Sequence, residues 1–122
     1  GQSGGAQAAP PGAGSSAVLA LVDQADRSAR AGRLDSAADS LERALRIEPR
    51  NARLWHRLAA LRLAEGNGAQ AQALAAKSNS LAGDDLALQA ANWNLIAEVR
   101  RRAGDADGAR QAQARSEALQ QR

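Results

Sequence analysis

Cysteine is absent from this 122-residue chain, and so are methionine, phenylalanine and tyrosine. Without cysteine there is no disulfide framework and no thiolate metal site, and an oxidising or a reducing compartment suits the chain equally. A single histidine, His56, leaves almost nothing from which to build nucleophilic catalysis. A metal site needs several histidines, cysteines or clustered carboxylates, and Asp84-Asp85 alone do not suffice. Long hydrophobic runs are missing too. The longest, Ala17 to Val22, is far too short to cross a bilayer. The β-branched and aromatic residues that fill strands are scarce, which excludes a sheet and, with it, a strand-borne phosphate loop. These absences point to a chain that is not an enzyme and holds no metal or cofactor.

What is abundant is alanine, within a hydrophobic share of 44%. Alanine has the best helix propensity and lets helix axes approach closely, so the fold class reads as all-α. The net charge is +3, carried almost entirely by arginine, with Lys77 the only lysine. Arginine forks onto carboxylates and phosphates better than lysine does. A balance of +3 is too mild to argue for nucleic acid by itself.

The strongest signal is repetition. Gly32, Ala37, Leu41, Ala44 and Pro49 are followed by Trp55, Leu58, Ala59 and Gly66. Gly66 stands 34 residues after Gly32, and Ala71 stands 34 after Ala37. A third copy appears at Trp93, Ile96, Ala97, Gly104 and Ala109, where the step from Gly66 to Gly104 is 38 residues. A period of 34 with small residues at fixed offsets marks stacked helix–turn–helix units.

Punctuation along the chain places six helices. Residues 1–15 are Gly, Gln, Ala, Ser and Pro without charge or apolar period, and read as a disordered tether because they cannot bury enough surface to offset ordering. Ser15 or Ser16 caps a first helix that Gly32 ends, and a second runs from about Asp35 to Ile47, stopping ahead of Pro49. Asn51 caps a third that ends at Gly66, Asn67 opens a fourth reaching Leu81, Asp84 or Asp85 caps a fifth that Gly104 closes, and Asp105 starts a sixth. Four residues in excess lie between Leu81 and Trp93, about one helical turn. Helix five should therefore start a turn early, and an added turn there would shape a lip on a binding face.

The stretch Gly32, Ala37, Leu41, Ala44, Pro49, Trp55, Leu58 and Ala59 resembles the tetratricopeptide repeat motif, and the resemblance extends from about Ala17 to Leu119. It implies a right-handed α-solenoid of three helix pairs over residues 16–122, with repeats at about 17–51, 52–85 and 86–122 and a lengthened first helix in the third. Gly32, Gly66 and Gly104 then close turns, Pro49 ends a helix, and Ala37, Ala59, Ala71 and Ala109 sit where paired helices touch. Leu58, Trp55 and Trp93 belong to the core, the tryptophans filling the wedge between successive pairs.

In this family the first helix of each pair lines a concave groove. The resemblance thus assigns partner contacts to Asp26, Arg30, Arg53, His56, Arg57, Leu63, Asn94, Glu98, Arg101 and Arg102. Arginines at several levels of that groove suit an extended or helical peptide bearing acidic or polar groups. The positions of the family's chaperone-tail clamp hold Val22, Asp26 and Arg57, which is not the clamp set. The leading reading is a protein–protein interaction module that recruits or regulates a larger enzyme. A low-complexity arm before a small repeat domain resembles outer-membrane lipoproteins that activate class A penicillin-binding proteins, the synthases of peptidoglycan. That implies a periplasmic monomer tethered to the outer membrane by a lipid anchor upstream of Gly1, with no nucleic acid and no other contact with the membrane. Two alternatives stand beside it: a cytoplasmic scaffold for a secretion, pilus or signalling assembly, and a nucleic-acid binder working through its arginines.

Overall fold

The computed structural model describes residues 15–122, and all regular structure among them is helical. The helices are α1 (Ser16–Arg30), α2 (Leu34–Ile47), α3 (Ala52–Ala64), α4 (Gly68–Leu81), α5 (Leu86–Arg102) and α6 (Ala106–Gln120). None is long and apolar enough to cross a membrane. The expected tether lies outside the described residues except for Ser15, which instead belongs to the domain: its hydroxyl accepts from the Val18 amide as the N-cap of α1.

Each helix starts and stops for local reasons. Asn51, Asn67, Asp85 and Asp105 accept first-turn amides at the heads of α3 to α6. At the far end of α3, Gly66 takes φ 83°, and the Asn67 amide turns back to the Arg62 carbonyl at 2.9 Å. That closure needs a left-handed residue, and glycine adopts it without steric cost. Gly32 and Gly104 repeat the device. Ahead of Pro49, Glu48 leaves the helical region (φ −132°, ψ 76°), so α2 ends where the proline forbids it to continue.

The pairs α1/α2, α3/α4 and α5/α6 form hairpins, and α2–α3 and α4–α5 contacts set the three in a row. Alanine makes the close approaches: Ala37, Ala59, Ala71, Ala97 and Ala109 are all buried. Two buried serines reinforce the hairpins at the same offset. Ser78 Oγ donates to the Ala52 carbonyl (2.7 Å), and Ser116 Oγ donates to the Ala90 carbonyl (2.9 Å). In each case the second helix of a hairpin grips its partner near the start, at the first residue of α3 and one turn into α5.

The tryptophans differ from expectation. They are half-buried rather than enclosed, with one ring face covered by a cation from the second helix of the same hairpin. Lys77 lies 5.8 Å from the centroid of Trp55, and Arg115 lies 4.7 Å from that of Trp93. Such stacking contributes about 0.5–1 kcal/mol at an exposed site. The Trp55 indole N–H also donates to the Pro49 carbonyl at 2.8 Å, holding the α2–α3 loop down.

The start of the domain is strapped to the same loop. The Ser15 backbone N–H donates to Glu48 Oε2 at 2.7 Å, and the Asn51 side-chain amide donates to Glu48 Oε1 at 3.1 Å. The Ser15 amide, first among these donors, holds the Glu48 carboxyl below the usual carboxylate range. A depressed carboxyl contributes stability that is fully present above its unfolded value and disappears as pH falls through the folded one. The Ser15 amide resonance is therefore expected to stay fixed through the ordinary glutamate range and move only in more acidic solution. In Glu48→Gln that acid transition should vanish from the NMR titration.

Candidate functional site

The first helices of the hairpins do not meet uniformly. α3 packs against α5 directly, but no Cα of α1 comes within 8 Å of α3. Between α1 and α3 a cleft of about 600 Å³ opens, and α2 forms its floor through Leu34, Ala37 and Leu41. Ala25 and Ala29 form one wall, and Ala60, Leu61 and Ala64 form the other. Small side chains on three helices thus leave an apolar trough, because alanines are too short to fill the gap that the helix spacing creates.

Polar groups stand along the α3 side of that trough. Arg57 Nη1 reaches across to Asp26 Oδ1 at 2.8 Å, so one ion pair bridges α1 and α3. Arg53 Nη2 meets Asp85 Oδ2, also at 2.8 Å, where α5 begins. Both pairs are substantially exposed, and such pairs contribute about 0–1 kcal/mol of stability each. His56 lies between the two arginines in sequence, and its Nδ1 is 2.7 Å from Oδ1 of Asn92 on α5. Asn92 is wholly buried; its amide nitrogen donates to Ser78 Oγ (2.8 Å) and to Asn79 Oδ1 (2.9 Å). A continuous polar chain therefore runs from the cleft into the seam between α3, α4 and α5.

The expected extra turn of α5 belongs to this site. α5 spans 17 residues against 13 for α3 and starts at Leu86, a turn before Ala90, the residue equivalent to Ala52. Asp85 caps that turn and takes Arg53, and Leu88 within it lines the cleft. A residue of the third hairpin thereby closes a cleft that lies between the first two.

Of the residues assigned to the groove from sequence, Asp26, Arg53, His56 and Arg57 come together here. Arg30 is exposed on α1 outside the cleft. Leu63 and Arg102 line a second, smaller recess of about 290 Å³ with Val99 and Gly68, and Arg102 Nη1 donates to the Leu63 carbonyl at 3.3 Å. Asn94, Glu98 and Arg101 line neither recess. Glu98 instead receives Arg102 and Arg101, whose hydrogen bonds, that from Arg102 the larger, hold its carboxyl below the usual range. Arg53, Arg57, Arg101 and Arg102, expected to suit a peptide bearing acidic or polar groups, are each paired with a carboxylate of the chain. Asp85, Leu88 and Asn92 are the site residues that sequence reasoning missed, and the four-residue excess after Leu81 was the available sign of the first two.

A sequence profile of the tetratricopeptide repeat matches residues 28–92, more than half of the chain. The chain belongs to the tetratricopeptide repeat family. Among solved structures, the globular C-terminal domain of P. aeruginosa LpoP is 44% identical, with a TM-score of 0.82 over 84% of this chain and 97% of that domain. No curated protein sequence matches. The likeness covers nearly the whole of the LpoP domain, so this tetratricopeptide domain and that one share their overall fold.

Proposed function

We propose that this domain is the non-catalytic, protein-binding part of an activator of a class A penicillin-binding protein, working in the periplasm from an outer-membrane tether that includes residues 1–14. It acts as a monomer, takes its partner in the concave groove, and raises the synthase's rate of glycan polymerisation. The observation that carries this reading is the likeness to the LpoP domain at 44% identity over 97% of that domain's length. The combination of tether and repeats, which resembles outer-membrane lipoproteins that activate such synthases, supports it independently. The groove supports it too, because an apolar trough with fixed polar groups along one side suits a segment of another protein.

The groove lends the nucleic-acid reading no support, since its two arginines, Arg53 and Arg57, are each paired with a carboxylate within the chain. With a soluble class A penicillin-binding protein immobilised, the domain should bind saturably and accelerate glycan polymerisation. Absence of binding at tens of micromolar would remove the synthase and leave the interaction module.

A further inference from the structure

His56 is held in one chemical form by its neighbours. Ser78 Oγ has a single proton, which it donates to the Ala52 carbonyl, so toward Asn92 it accepts. The atom of Asn92 that meets Ser78 is therefore the amide nitrogen, whose second hydrogen goes to Asn79 Oδ1. That leaves Asn92 Oδ1, an acceptor only, facing His56 Nδ1 at 2.7 Å. Nδ1 must carry the proton. In the neutral ring Nε2 is then a bare acceptor, and it has no hydrogen-bond partner among the described residues.

The charges around that acceptor cancel in pairs. A carboxylate entering the cleft competes with Asp26 and Asp85 for guanidinium groups, and a cation competes with Arg53 and Arg57 for carboxylates. Neither charged anchor gains much, whereas an apolar side chain covers the alanine and leucine walls without displacing anything. The cleft volume of about 600 Å³ falls within the range of small-ligand sites. We propose that the cleft receives an uncharged, leucine-sized side chain whose adjoining amide N–H donates to Nε2 of His56. His56 is then the residue that selects the partner's hydrogen-bonding pattern. This deepens the reading above, because it takes the groove to be the partner site.

Three small probes of one shape test it at about pH 8. N-methyl-4-methylpentanamide carries the apolar group and the donor. Methyl 4-methylpentanoate has oxygen in place of the N–H, and 4-methylpentanoate carries a charge. NMR titrations should show the amide shifting the Ala29, Ala60 and Ala64 signals and binding about five-fold tighter than the ester, the worth of one ordinary hydrogen bond. The carboxylate should bind no better than the ester. Nitrogen-15 spectra of the free domain should show Nδ1 protonated and Nε2 bare. Ala60→Trp, which fills the trough, should abolish binding of all three. His56→Phe should erase the preference for the amide, and should it not fold, the tautomer and Ala60→Trp decide. Equal affinities for amide and ester, a proton on Nε2, or no binding of any probe each overturns the inference. The probes need no synthase. A domain that binds the amide but not the synthase keeps this inference and loses the function above, and the reverse result does the opposite.

Discussion

Asn92→Ala is expected to destabilise the domain by about 3 kcal/mol, the heaviest loss for any single polar side chain in it. Asn92 is wholly buried and joins three elements: His56 on α3, Ser78 and Asn79 on α4, and its own helix α5. Truncation removes three hydrogen bonds at once: the Nδ1–H of His56 and Oδ1 of Asn79 lose their partner, and the fully buried Ser78 Oγ keeps only the Ala52 carbonyl. An orphaned buried polar group costs about 1–3 kcal/mol by itself. Small domains have about 5–15 kcal/mol in total, so the midpoint of thermal unfolding should drop by about 12–24 °C. Ser78→Ala, which leaves Asn92 its contacts to His56 and Asn79, should cost less than half as much. A melt of Asn92→Ala within about 3 °C of the wild type would show that the chain of bonds contributes little.

Ala59→Leu should be nearly as damaging for the opposite reason. Ala59 has no exposed surface and packs in one cluster with Ala71, Ala75, Ile96 and Ala97, where α3, α4 and α5 converge. Three added carbons find no space there, and overpacking a tight interior costs about 1–3 kcal/mol, occasionally more. The helices must part, so the loss should come with increased amide exchange along α4 and α5 as well as a lower urea midpoint. The same change at exposed Ala73, on the outer side of α4, should fall within about 0.5 kcal/mol of the wild type. Equal effects at the two positions would mean that the alanine contacts do not set the helix spacing.

How far the sequence anticipates these features depends on the kind of interaction. Glycine at a left-handed turn and alanine at a helix crossing have few substitutes, so Gly32, Gly66, Gly104 and the alanines at 34-residue steps reveal hairpin boundaries and the packed seam directly. The excess before Trp93 likewise reveals that α5 starts early. Its partners were hidden. Arg53 and Asp85, Arg57 and Asp26, and His56 and Asn92 lie far apart in the chain, and their meeting depends on how each helix is rotated in the stack. Helical periodicity says which residues share a face but not which neighbour that face meets. Asn92 was the hardest to see, because an asparagine beside a tryptophan reads as an exposed position until Ser78 and Asn79 are known to close over it. The tryptophans were misread through size: the slots that hold them are shallow enough for Lys77 and Arg115 to cover the outer ring faces.

The gap between α1 and α3 also has a mechanical side. From α3 onward each hairpin is tied to the next through first and second helices alike, and a buried polar latch sits at the join. The opening hairpin is joined to the rest by α2–α3 packing and by two ion pairs, Asp26–Arg57 and Glu42–Arg62. A pivot of the opening hairpin about the α2–α3 seam would change the width of the trough while leaving the α3–α6 packing undisturbed.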